Sequence, residues 1–565
     1  MSRIAQALHV GCTFLALAAS ALLLSFVPAA WSAEPPDLVI FNAKVVTVDD
    51  RFSIAQALAI KGPRIVAVGS SAAIGKLAGP NTKTIDARGR TVIPGLIDNH
   101  AHFVRVAEKW HSEMRLDGVS TRAEAITMLQ DRVRAAKPGE WIVALGGWSE
   151  EQFTDDPRGF PLAELDKLAP ANPVALQAVY RHTYLNTAAL KSAGIDEKTP
   201  NPPGGTIEKD ASGKPTGLVT GAGGVAFVAA KVPLAEKQQW LQNARNVVQF
   251  LNSVGMTTWM DAGGRGMSSA HYEPYRQLAE NGELNIRVFW QIVRQPSTPK
   301  HVDAVLAEIP TFKPFQGTDY FDNVGYGESV YNPINTQLLN PKANTRPEDM
   351  AQWGRITRAL AQQGIYVNSH VEMEPAIDAF LTLYEEINRE KPIKGLRWAL
   401  SHIDQVTPQQ IERMKRLGMT AQIHTRPLIQ GVLMHRFHGE RAWSMPPMRM
   451  VQDSGIMWGL GSDATAVTTS NPFYNLWFAV TGKMIGGHQV NRQTITREEA
   501  LIAHTRNNAY VVFQESNLGS LQPGKYADLL VLDRDYLTIP ADQIRDIRPV
   551  LTMVGGRVVY EAKGN

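Results

Sequence analysis

The sequence predicts an α/β chain: a (β/α)8, or TIM, barrel with a composite β-sandwich from both termini and an insertion after the first barrel strand. Three observations carry this. Eight short strand-like runs, near 96–102, 257–263, 285–292, 322–329, 365–371, 398–403, 420–425 and 456–464, alternate with helical patterns. Gly-punctuated segments rich in β-branched residues cluster at the two ends of the chain. The interval of about 103–233 is too long for one βα connection and reads as an inserted subdomain.

Taken in order, residues 1–32 read as a secretory signal peptide. Arg3 gives the positive start, Thr13 to Val27 the apolar stretch, and Ala30-Trp31-Ser32 a small-residue cleavage site. The apolar run is shorter than the ~20 residues a membrane span needs, so no stable span is expected after signal removal. The protein is expected in the periplasm or secreted. Residues 33–90 and 511–565 form the β-sandwich, through strands at 38–48, 57–60, 64–68, 527–532, 550–554 and 556–560. Residues 91–510 form the barrel. Within it, Pro347 to Gly364 has helical apolar spacing, and Thr407 with Pro408 reads as a helix N-cap and first position. The stretch 426–452, which holds His435 and His438, reads as a long loop over the site.

Composition narrows the chemistry. The 565 residues are 44% hydrophobic and 20% charged, which is globular and excludes disorder. With 57 Lys+Arg against 54 Asp+Glu, the net charge of +3 is too small to argue for nucleic acid, and no nucleic-acid motif is present. The single cysteine, Cys12, falls inside the signal. The mature chain then has no disulfide, thiolate nucleophile or Cys-ligated metal. A small-molecule substrate is the expected partner, and a homo-oligomer stays open.

What remains is imidazole and carboxylate. His100 and His102 close the first strand two residues apart, so both point to the same side of it. His370 closes the fifth strand, His402 the sixth and Asp463 the eighth. Barrel geometry makes these five converge where such folds carry their chemistry. Four imidazoles and a carboxylate suit a divalent metal, Zn first, as one or two ions. His424 and Arg426 follow the seventh strand and are candidates to polarise or orient substrate.

The run Val92 to His102 (VIPGLIDNHAH) resembles the first-strand motif of the amidohydrolase superfamily. More narrowly, the chain is similar to its YtcJ-like branch (amidohydrolase family 3), which includes N-substituted formamide deformylases. Trp141 to Trp148, Asn186 to Leu190, Gly213 to Gly217, Gly461-Ser462-Asp463 and Gly519 to Leu529 extend the likeness over nearly the whole mature chain. The resemblance implies the barrel, the β-sandwich and a metal hydrolase site on the residues above. It also implies a role for His182, where relatives place a histidine, in hydrogen bonding a substrate carbonyl.

The chain departs from the relatives in three places. They commonly carry a strand-four Lys, carboxylated in binuclear members. Phe321 to Ser329 has none, and Glu328 stands there as a bridging carboxylate, a substrate contact in a one-metal site, or a solvated strand-end residue. Relatives tend to follow the strand-five His with Gly-Asp, where this chain has Val371-Glu372. Ser401 precedes His402 where relatives often show Glu.

The expected reaction is hydrolysis of an amide, formamide or carbamate-like C–N bond by metal-activated water. Metal lowers the pKa of water from 15.7 to roughly 7. Asp463 accepts the proton and passes it to the leaving nitrogen, and the metal, with His182, stabilises the oxyanion. One alternative is a metal-dependent deaminase of an amino-substituted ring or amidine, with Glu372 or Glu374 shuttling protons. The other is a catalytically inactive small-molecule-binding barrel, against which the five intact ligands argue.

Overall fold

The computed structural model describes residues 34–563 apart from 265, 335 and 340–343, so the expected signal and Cys12 lie outside the described residues. Eight strands succeed one another along the chain: β1 (Leu96–Ala101), β2 (Met256–Asp261), β3 (Arg287–Ile292), β4 (Phe321–Tyr326), β5 (Asn368–Val371), β6 (Ala399–His402), β7 (Thr420–His424) and β8 (Trp458–Gly461). All six residues of β1 and of β2 are buried, as in parallel strands covered on both faces.

The strands pair in parallel as two four-stranded sheets, β1–β2–β3–β4 and β5–β6–β7–β8. The sheets meet at both edges. At one seam Tyr326 bridges to Val367, and its N–H donates to the Tyr366 carbonyl at 2.9 Å. At the other, Asp463 N–H donates to the His100 carbonyl at 2.8 Å and His102 N–H to the Ala464 carbonyl at 2.7 Å. Chain order is therefore ring order, and the ends that carry His102, Glu328, His370, His402, His424 and Asp463 share one rim.

Helices join the strands and cover the ring. Pro347–Gln362 leads into β5. Pro408–Leu417 leads into β7, capped by Thr407 in a box with Gln410 and ended by Gly418 in the left-handed region at φ 69°. The stretch read as a loop is instead helical, with Pro427–His438 followed by a 3-10 turn at Gly439–Ser444 and the helix Met448–Asp453. His435 and His438 sit on the first of these. Pro427 to Gly431, Leu433 and Met434 are buried and only the last turn, at Arg436 and Phe437, is exposed, so burial changes along the helix axis instead of around it and no 3.6-residue pattern shows.

Between β1 and the helix Lys237–Ser253 the chain builds a five-stranded sheet. Its order is Thr206–Lys209, Pro215–Thr220, His182–Leu185, Val174–Ala178, Ile142–Leu145. The two chain ends share a six-stranded sheet, in which Leu529–Leu532 pairs antiparallel with Thr91–Pro94. That sheet and a four-stranded one from residues 38–86 enclose a common core of Ile40, Val45, Leu58, Ile60, Val92, Leu529 and Met553. Val511, Val512 and Leu518 pack instead under the ring, against Ile97, Met260, Phe289 and Val324. The Arg287 guanidinium fastens ring to sheet through a paired grip on Asp528 at 2.8 and 3.0 Å, with the Tyr320 and Tyr526 rings on its faces. Among the described residues no helix is long and apolar enough to cross a membrane.

Candidate metal centre

The rim gathers the predicted residues around one carboxylate. Glu328, two residues past β4, places Oε2 3.2 Å from His100 Nε2, 3.1 Å from His370 Nδ1 and 3.4 Å from His402 Nε2. Its Oε1 lies 3.7 Å from His102 Nε2. Asp463 Oδ1 lies 3.1 Å from His102 Nε2 and 3.8 Å from His100 Nε2. Two groups able to hold an ion, His100–His102–Glu328 and Glu328–His370–His402, thus share Glu328, with their ligand atoms within 4.8 Å of one another. A third group, His100–His402–His424, overlaps both. Ligands about 2.1 Å from one ion stand about 3.4 Å apart at tetrahedral angles, the spacing found here.

The hydrogen-bond pattern tests whether a metal fits, and it does. His102 Nδ1 is 2.6 Å from the Gly263 carbonyl, which only accepts, so Nδ1 carries a proton and Nε2 is the nitrogen turned to the carboxylates, free to exchange its own proton for a metal. His100 Nδ1 and His424 Nε2 are buried without a hydrogen bond, while His100 Nε2 and His370 Nε2 face carboxylate oxygens at 3.2 Å. Buried polar atoms left without hydrogen bonds are costly unless something else binds them. Of the nitrogens on this rim, His402 Nδ1 instead faces His424 Nδ1 at 2.7 Å.

Backbone and charge hold the rim in place. His402, Ile403 and Asp463 have φ of 75°, 42° and 63°, a region most side chains avoid and one that gathers at functional sites. Arg426 donates from Nε and Nη2 to Asp463 Oδ2 at 2.9 and 2.8 Å, and from Nη1 to Glu372 Oε1. Glu372 also accepts from the Leu338 N–H and lies 3.2 Å from His370 Nε2. A chain of charge therefore runs Asp463–Arg426–Glu372–His370–Glu328 across four strand ends. Burial pushes the Asp463 carboxyl up, but Arg426 and His102 outweigh it and hold it well below the usual range. Glu328 is likewise held low, against burial, by His100 and His370. Burial opposes charge on His370, yet Glu328 and Glu372 raise it to about 9; burial and Arg426 lower His402 to about 3.

The structure does not bring every candidate to the centre. His182 opens the strand His182–Leu185, and its Nε2 is 2.6 Å from Glu150 Oε1, which Tyr184 also donates to at 2.7 Å. Glu150 and the strands that pair with His182 belong to the insertion. Glu372 and Arg426 bind each other, with Glu372 fully buried. Three carboxylates were passed over. Asp98 accepts from the backbone N–H groups of His100 and Ser462 at 3.1 and 3.0 Å and so locks β1 to β8. Asp261 accepts from Tyr272, Gly263 and Val104. Asp404, raised to about 8 by burial and by Glu372, lies beyond His402. The rule that selects ionisable residues at the ends of ring strands would have found Asp261 and Asp404.

A profile of the amidohydrolase family matches residues 83–560. The chain belongs to the amidohydrolase family. It is 29% identical to the N-substituted formamide deformylase of Arthrobacter pascens, over 94% of this chain and 99% of that one. It is 24% identical to the putative amidohydrolase YtcJ of Bacillus subtilis, over 86% and 92%. Among solved structures, an uncharacterised metal-dependent hydrolase from Pyrococcus furiosus superposes with a TM-score of 0.61 at 19% identity, covering 89% of this chain and 100% of that one. Membership in this family makes the chain a metal-dependent hydrolase, and the His/Glu groups on the rim are residues able to hold the metal.

Proposed function

We propose that the protein is an exported amidohydrolase that cleaves a non-peptide C–N bond of a small molecule, an amide, formamide or carbamate-like group, at a two-metal centre bridged by Glu328. The observation that carries this is the position of Glu328 between the two histidine groups, where it takes the place of the carboxylated lysine of binuclear relatives. Zn fits the four imidazoles and two carboxylates best. The reading treats the closed ring as a (β/α)8 barrel, the two terminal sheets as a β-sandwich, and residues 1–32 as a cleaved signal that delivers the chain to the periplasm or beyond.

His100, His102 and Asp463 would hold one ion, His370 and His402 the other, and Glu328 both. Bound there, the metal supplies nucleophilic water near neutral pH and polarises the carbonyl. Arg426 keeps Asp463 Oδ2 occupied, so Oδ1 is the oxygen that takes the proton from water and returns it to the leaving nitrogen. Glu372 holds Arg426 and His370 in place and, being so bound, is not free to shuttle protons as a deaminase would require. His182, on Glu150, is a support for the insertion at the site mouth.

The formamide deformylase relative makes N-substituted formamides the first substrates to try. The test is a panel of formamides, amides, carbamates and amino-substituted rings on the Zn-loaded protein, scoring amine-plus-acid release against ammonia release. Amine plus acid, lost in His100→Ala, is expected. Ammonia alone would replace this reading with deamination, and a metal-free protein inert to the whole panel would favour a binding role.

A further inference from the structure

Two arginines follow ring strands that lead into site histidines, Arg105 after β1 and Arg426 after β7, and they are partnered differently. Arg426 is committed to Asp463 and Glu372. Arg105 lies three residues beyond His102, in the 3-10 turn Phe103–Glu108, and is only half-buried. Its Nη2 donates to the Tyr180 phenol at 2.7 Å, and no carboxylate among the described residues forms an ion pair with it. Yet it belongs to the site's electrostatics. Burial lowers its pKa, but Tyr180, Asp261 and Asp463 outweigh that, and its charge in turn acts on His102.

Tyr180 comes from the insertion. It sits at the tip of the hairpin between Val174–Ala178 and His182–Leu185 and is 42% exposed. The insertion thus reaches over the rim with one exposed phenol and fixes the guanidinium with a neutral partner. With Nη2 on a neutral phenol and no ion pair among the described residues, the guanidinium keeps N–H donors for an anion. The planar guanidinium fork is built for a carboxylate, which it binds with two parallel N–H donors.

We propose that Arg105, positioned by Tyr180, is the receptor for a carboxylate on the substrate, so that the hydrolysed compound is an anionic amide with its carboxylate a few bonds from the scissile C–N bond. This rests on the hydrolase reading and names its substrate class. N-acyl amino acids and monoamides of short dicarboxylic acids have that chemistry.

The test uses matched pairs of uncleavable ketomethylene isosteres of these compounds, each with and without the carboxylate, titrated calorimetrically into Zn-loaded protein. At least one pair is expected to show a tenfold or greater preference for the carboxylate in the wild type. Arg105→Gln should bring that ratio to about one, and Arg105→Lys, which keeps charge without the fork, to an intermediate value. Tyr180→Phe, which removes the hydrogen bond that positions Arg105 without changing its charge, should weaken the preference but not abolish it. Melting temperatures establish that each variant is folded. No preference in any pair, or a ratio unchanged in Arg105→Lys and Arg105→Gln, overturns the proposal. Hydrolysis of the corresponding cleavable amides separates the two readings. Turnover without carboxylate preference refutes the receptor alone, and Arg105-dependent binding without turnover refutes the hydrolase alone.

Discussion

Metal affinity at this centre should depend steeply on pH, and His370 sets the slope. In the metal-free chain burial opposes its charge, but Glu328 at 3.1 Å and Glu372 at 3.2 Å raise it to about 9. A ligating imidazole must be neutral, so binding there expels a proton. At pH 7, two units below that pKa, the proton costs about 2.7 kcal/mol. Apparent affinity for the ion at His370 should therefore weaken about tenfold per pH unit below that pKa, or about 50-fold between pH 9 and pH 7. The stability effect runs the other way. A histidine raised above its unfolded value of about 6.5 stabilises the metal-free fold fully below that pH, and this contribution is lost as pH rises through about 9. The metal-free protein should then melt lower at pH 9 than at pH 6.5, while the increment added by Zn grows. Competition with a calibrated chelator from pH 6.5 to 9.5 reads the first effect and thermal melts the second. Glu328→Gln removes the charge that most raises His370 and should flatten the slope. An affinity constant within threefold from pH 7 to 9, or an unchanged slope in Glu328→Gln, would refute the reasoning.

Other perturbations reach different links. Arg426→Met takes two donors from Asp463 and leaves the buried Glu372 with the Leu338 N–H and His370; losing one partner of such a pair should cost about 3 kcal/mol in unfolding, and turnover should fall with the acid limb of the kcat/KM–pH profile moved upward. Unchanged turnover would show that Asp463 needs no clamp. Arg287→Met leaves Asp528 buried with the Gly555 N–H and should cost about 3 kcal/mol in urea unfolding, most of it recovered in the double variant with Asp528→Leu. A methyl at Gly461 would stand 2.4 Å from Asn99 Oδ1 and 3.1 Å from His424 Cδ2, so Gly461→Ala should lower bound metal per chain at a stability cost of about 1–3 kcal/mol.

The ring and the side chains that gather on its rim were legible because parallel strands announce themselves as short buried runs, and the fold fixes which strand ends meet. His100, His102, His370, His402 and Asp463 needed only strand ends and a two-residue repeat. What escaped depends on contacts between distant segments. Glu328 kept three readings until ring closure set it between His100 and His370. Arg426 read as a substrate contact because its partners lie 37 and 54 residues away. The helix Pro427–His438 read as a loop because its first two turns are buried on every side and its last turn is exposed, which leaves no 3.6-residue period to detect. Arg105 gave no signal at all, since only the folded insertion brings Tyr180 to it.

The central claim is that Glu328 joins two metal ions in a hydrolytic centre. Zinc per chain, measured by elemental analysis on wild type and Glu328→Ala after equal loading, tests it most directly. The account predicts about two ions falling to one or fewer, with amide hydrolysis lost. One ion in both proteins, with hydrolysis retained in Glu328→Ala, would contradict it.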